Sequence, residues 1–142
     1  MAREAVQLKL EGVPSERVQG IWPGVEHWIA QACEEEGGSY LASDVRALVV
    51  AGAWQMWIVT DGPEIHAMAI TRIEQTPRRK VCWVLMMVGS GIEGWAHFRD
   101  RIAEWARAEG CGAVKSLARR GYVKMFKEFE CRHVLLERNL DV

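Results

Sequence analysis

A chain of 142 residues suits one domain over positions 1–142 and is long enough to bury a proper core. It is 49% apolar and 26% charged, and its net charge of −1 supplies no field to draw it to nucleic acid or anionic lipid. The longest apolar run, residues 81–88, falls far short of the roughly 20 residues that span a bilayer, so no membrane partner is expected. The opening "MAREAVQLKLEG" lacks the basic start and long apolar stretch of a secretory signal. Cys33, Cys82, Cys111 and Cys131 are scattered without metal or redox spacing, which predicts buried free thiols and synthesis in a reducing cytoplasm. Seven tryptophans predict a core of large aromatic side chains.

"AVQLKL" (residues 5–10) alternates and predicts a first strand. Ile21, Trp22, Val25, Trp28, Ile29 and Cys33 recur at helical spacing up to Gly37-Gly38. Ser43-Asp44 predicts the cap of a second helix that stops at Gly52. The period then changes: "WQMWIVT" (54–60), "EIHAMAITRIE" (64–74) and "KVCWVLMMV" (80–88) read as three strands. The tight "DGP" and looser "QTPRR" turns make them antiparallel neighbours, and the third, apolar on both faces, belongs inside the sheet.

Trp95, Phe98, Ile102, Trp105 and Ala106 mark one face of a helix over residues 92–109, with Arg99, Asp100, Arg101, Glu104 and Arg107 on the solvent face. "AVKSLA" (113–118) predicts a strand, "YVKMFKEF" (122–129) a short helix and "RHVLLERNL" (132–140) a last strand. The order β-α-α-β-β-β-α-β-α-β is an α/β (α+β) class. It requires a mixed, mostly antiparallel sheet with helices on both faces.

That order, with the glycine turn "MMVGSG" entering the third helix, resembles the GNAT (Gcn5-related N-acetyltransferase) fold over nearly the whole chain. The resemblance implies that a turn of the form Arg/Gln-x-x-Gly-x-Gly/Ala holds the pyrophosphate of acetyl-CoA or another acyl-CoA on backbone N–H groups. Met86 stands at the Arg/Gln position, and Val88, Gly89, Ser90, Gly91 and Gly94 are the implied cofactor-binding residues, with Arg119 and Arg120 assisting. "AGAWQMWIV", "AMAITRIEQTPRRKV", "GWAHFRDRIAEWARAEGC" and "ARRGYVKMFKEF" are also similar to phrases in small GNAT-like proteins of tailed bacteriophages. This second resemblance implies synthesis in a host cytoplasm, incorporation in a phage particle, and other phage proteins or a second copy as partners.

The residues themselves admit a plainer account of the turn. Ser90-Gly-Ile-Glu93 is a capping box that needs no ligand, and Glu93 sets a negative charge where a pyrophosphate would sit. Acyl transfer to an amine calls for a base and an acid. In the family pattern the acid is a Tyr where this chain has Phe126; Tyr122, one helical turn earlier, is the substitute candidate. Glu74 is the candidate base, and His66 reads as a hydrogen-bonded sheet residue. No pair of histidines has metal-ligand spacing. Two readings stand open: an acyl-CoA-dependent N-acyltransferase of phage type, or a GNAT-like domain without catalysis that serves in phage structure or assembly.

Overall fold

A computed structural model describes residues 8–89, 96–118 and 127–140. Strand β1 (Lys9–Val13) and a 3-10 turn (Ser15–Arg17) lead into helix α1 (Val18–Glu36) and helix α2 (Ala42–Val50). An antiparallel meander follows, β2 (Trp54–Thr60), β3 (Ile65–Gln75) and β4 (Lys80–Gly89). Helix α3 (Ala96–Ala108) then crosses to β5 (Cys111–Ser116), which pairs parallel to β4. The sheet order is β1-β2-β3-β4-β5. The parallel pair arises because a helix, and not a hairpin, joins its strands.

Glycines end the helices as their positions foretold. Gly37 turns left-handed at φ 113°; its N–H donates to Glu34 O and the Gly38 N–H to Cys33 O, each at 3.2 Å, a Schellman ending. Gly52 closes α2 the same way, with Ala53 N–H to Leu48 O at 3.0 Å. Helix α2 begins one residue before the expected Ser43 cap: the Asp44 carboxylate accepts the Leu41 N–H at 2.9 Å.

Alternation along the strands splits the core in two. Trp54, Met56, Ile58, Met68, Ile70 and Met86 face α1 and α2, meeting Val18, Trp22, Val25, Ile29, Val45 and Val49. Trp57, Val59, Ala67 and Ala69 face the other way and meet Phe98 and Ile102 of α3. Trp105 stands edge-on to Trp57 at 5.0 Å between ring centroids. The helices thus cover both faces, as the element order required.

Several expectations are corrected. β1 starts at Lys9, later than residue 5; residues 5–7, 92–95 and 122–126 lie outside the described residues. β5 runs from Cys111 to Ser116 and stops short of 118. Residues 127–129, given to a helix, are turn. Residues 132–140 form no strand: no neighbour among the described residues takes their backbone groups. Only Cys33 and Cys82 are buried; Cys111 is half-buried and Cys131 exposed. Arg99, assigned to the solvent face of its helix, is buried, because its spacing to Ile102 and Ala106 is that of the core stripe.

Candidate functional site

The end of β4 is where the sequence placed a ligand. The antiparallel ladder with β3 continues to Ala67↔Gly89, whereas the parallel ladder with β5 runs only from Lys80↔Cys111 to Val84↔Ser116. From Leu85 to Gly89, β4 therefore presents an edge that no described strand pairs. A bulge begins there: Thr71 faces Val84 but Ile70 faces Met86, which leaves Leu85 unopposed. Ser116 Oγ donates to the Val84 carbonyl at 3.1 Å and pins the last point where the two strands touch.

Beyond that point lies a cavity of about 20 Å³, room for about one water molecule. Val84, Met87, Ile102, Val114, Ser116 and Phe129 line it, with the Arg99 side chain at its wall. The Arg99 side chain is 7% exposed; its Nε donates to Glu128 Oε1 at 2.5 Å and its Nη2 to Oε2 at 3.5 Å. That hydrogen bond holds the Glu128 carboxyl below the usual carboxylate range. Sequence reasoning missed this ion pair between a buried arginine and an exposed carboxylate. The signal was present, since Arg99, Ile102 and Ala106 recur at three and four residues, but an arginine on such a stripe reads as solvent-facing.

On the α3 side of the sheet, Lys9, Leu10, Glu11, His97, Phe98 and Arg101 border an open groove of about 340 Å³. Leu10 faces Val59, Val59 faces Ala67 and Ala67 faces Gly89, so the groove and Gly89 share one end of the sheet.

Met86 packs into the α1/α2 core at 9% exposure, so its thioether fills space where the family pattern has a polar head. Val88 is half-buried and packs against the same core. Gly89 has φ 135°, and a Cβ on it would stand 2.5 Å from both Cα and Cβ of Ala67 and 2.6 Å from the His66 carbonyl. The close approach of β3 accounts for this glycine without a ligand. Glu74 pairs with Val81 at the other end of β3, roughly 23 Å from Ala67 and Gly89 at about 3.3 Å per residue. It accepts from Trp83 Nε1 at 3.5 Å and lies 3.8 Å from Arg72 Nη2. Ser90, Gly91, Glu93, Gly94, Arg119, Arg120, Tyr122 and Phe126 lie outside the described residues.

His66 Nε2 lies 2.9 Å from Asp61 Oδ2, while Asp61 Oδ1 accepts the Glu64 N–H at 2.8 Å. Both contacts hold the Asp61 carboxyl below its usual range, the histidine more than the backbone. Asp61, Glu64 and His66 bring potential ligand atoms within 4.8 Å of one another, a set that linear spacing did not show. The hydrogen bonds that fix the β2–β3 turn explain that proximity.

No family model matches the sequence, and no curated protein matches it. Solved structures do. An aminoglycoside acetyltransferase from an uncultured soil metagenomic sample is 11% identical, with a TM-score of 0.68 over 96% of this chain and 99% of that one. A predicted acetyltransferase from Clostridium acetobutylicum, solved with acetyl-CoA, is 12% identical, with a TM-score of 0.67 over 94% and 96%. An acetyltransferase from Trypanosoma brucei is 13% identical, with a TM-score of 0.63 over 96% and 100%. At such identities the likeness shows the fold: this chain has the GNAT-like architecture that its element order implied.

Proposed function

We propose that this protein is an acyl-CoA-dependent N-acyltransferase of the small phage type, with the cofactor seated at the end of β4. The observation that carries the reading is the divergence of the parallel pair. β4 runs past its last ladder contact with β5, leaves an edge from Leu85 to Gly89 that no described strand pairs, and leads in sequence through Gly89-Ser-Gly towards α3. An open strand edge offers N–H and C=O groups to a ligand that carries amides, as the arm of coenzyme A does. The acetyltransferase neighbours, one of them solved with acetyl-CoA, support the same cofactor class.

In this reading Val88, Gly89, Ser90, Gly91 and Gly94 supply backbone to the pyrophosphate, and Arg119 and Arg120 supply charge. Bound acyl-CoA would supply the thioester acyl group that an amine accepts. Tyr122 is the proposed proton donor to the leaving thiolate. Glu74 stands too far along β3 to serve as the base. His97, exposed in the groove that shares the Gly89 end, is the better-placed titratable group. Isothermal titration with acetyl-CoA tests the reading: heat at ligand concentrations up to ~1 mM is expected, and silence there sinks it, since that limit is only about −4 kcal/mol of binding.

Specific observations favour a second reading, a GNAT-like domain that has lost catalysis and serves in phage assembly. Met86 is a packing residue, Gly89 is explained by Ala67, and Arg99 with Glu128 already occupies the wall of the small cavity between β4 and β5. Acetyl-CoA consumption over a panel of amines separates the two: binding heat without turnover supports the second.

A further inference from the structure

We propose that Asp61, Glu64 and His66 form a binding site for one divalent transition-metal ion of the zinc class, at the turn between β2 and β3. The donor set is mixed: His66 Nε2 supplies nitrogen, and Asp61 Oδ2 and a Glu64 carboxylate oxygen supply charge. These atoms lie within 4.8 Å of one another. Donors held about 2.1 Å from one ion stand about 3.0 Å apart at a right angle and about 3.4 Å apart at the tetrahedral angle. The 2.9 Å between His66 Nε2 and Asp61 Oδ2 is already that spacing. The widest pair has to close by at most about 1.4 Å, within a rotamer change of exposed Glu64.

The turn's hydrogen bonds account for Asp61 and His66, but not for the Glu64 carboxylate. Asp61 Oδ1 accepts the Glu64 N–H at 2.8 Å, and Thr60 Oγ1 donates to the Glu64 carbonyl at 2.8 Å. Both are backbone contacts; the Glu64 side chain has no hydrogen-bond or ion-pair partner among the described residues. Yet it converges on Asp61, whose carboxyl is held below its usual range and so carries charge. Like charges this close repel, and no Lys or Arg among the described residues pairs with either carboxylate. A dication resolves that conflict, because it neutralises both carboxylates and takes the imidazole lone pair. The hydrogen bonds then serve as its outer shell, fixing the Asp61 carboxylate and the Glu64 backbone before the ion arrives. The Asp61 and His66 side chains are 19% and 31% exposed, so the site is half-dry yet open to solvent on the Glu64 side. The imidazole selects the metal: nitrogen donors suit zinc, nickel and copper, whereas calcium and magnesium prefer oxygen. The ion replaces the hydrogen that Nε2 shares with Asp61, so it takes the neutral imidazole protonated at Nδ1.

The test titrates the full chain with zinc chloride by calorimetry, near neutral pH in a buffer that does not bind metal. One ion per chain is expected, with a Kd between about 1 and 50 µM, and calcium should give no heat. Glu64→Gln, a change on an exposed side chain, should weaken zinc binding about tenfold, and His66→Asn at least about thirtyfold. The double variant Cys131→Ser/His133→Asn removes an exposed thiol and imidazole that zinc also favours, and it should bind as the wild type does. No heat up to about 1 mM zinc overturns the proposal. So does binding that Glu64→Gln or His66→Asn leaves unchanged. Binding lost in the double variant overturns it by placing the ion on the C-terminal segment. Calcium heat equal to that of zinc overturns it as well, because oxygen donors alone then suffice. No acyl-CoA is present, so the result is independent of the proposed activity.

Discussion

Gly89→Ala separates a packing glycine from a ligand-binding one. The new Cβ would meet Ala67 Cα and Cβ at 2.5 Å and the His66 carbonyl at 2.6 Å, against the roughly 3.5–4.0 Å at which carbons rest. The end of β4 must therefore retreat by about 1 Å from β3, at the last pair of the ladder. Overpacking of this kind costs about 1–3 kcal/mol, and an L-residue held at φ 135° adds about 1–2 kcal/mol. The sum, about 2–5 kcal/mol, is a large part of a domain's usual stability of about 5–15 kcal/mol. At about 3 °C per kcal/mol for a chain of this length, the melting temperature should fall by roughly 6–15 °C. Urea unfolding followed by tryptophan fluorescence, with no ligand present, measures it. Gly20→Ala is the control: it lies inside α1 with nothing within 4 Å of its added Cβ, so it should gain about 0.5–1 kcal/mol. A Gly89→Ala loss below about 0.5 kcal/mol refutes the packing account. If acetyl-CoA heat then disappears as well, Gly89 belongs to the ligand alone.

Thr71→Val removes the acceptor of the buried Trp57 indole N–H, 3.0 Å away, and should cost about 1–3 kcal/mol in urea titration; an unchanged midpoint would show the bond to be dispensable. Glu128→Gln should cost about 1 kcal/mol at pH 7, discounted because Glu128 is 42% exposed. Arg99 depresses the Glu128 carboxyl, so its contribution is present above the usual carboxylate range and is lost as pH falls through the depressed value. The gap between variant and wild type must shrink towards pH 3; an equal gap at pH 3 and pH 7 contradicts the ion-pair account. A thiol reagent at pH 8 should modify exposed Cys131 first, then Cys111, and leave Cys33 and Cys82 intact in the folded chain. Burial pushes the Cys82 thiol up to about 12, so it holds its proton in the folded state after the unfolded thiol has lost it. Its contribution to stability is whole below about pH 9 and declines as pH rises towards 12. Labelling of Cys82 as fast as Cys131 would contradict that burial.

The sequence by itself determined the elements whose cause is local. "WQMWIVT" is β2 residue for residue, because aromatic and β-branched side chains favour extended backbone wherever they cluster. The helix ends at Gly37 and Gly52 were equally legible, since left-handed turns there need glycine. From those elements and their order the mixed sheet followed, with a parallel pair where a helix intervenes.

The tertiary structure decided what depends on neighbours distant in sequence. A strand exists only with a partner, and residues 132–140, which read as a strand, have none among the described residues and stay exposed. Burial belongs to a packed face, so Arg99 could read as a surface charge until Glu128, far along the chain, was beside it. Gly89 looked like a phosphate turn in sequence; only the register with β3 showed Ala67 in the space its side chain would need. The same register set Glu74 at the opposite end of its strand. Linear spacing cannot report such separations, because they are distances between chain segments that folding alone brings together or keeps apart.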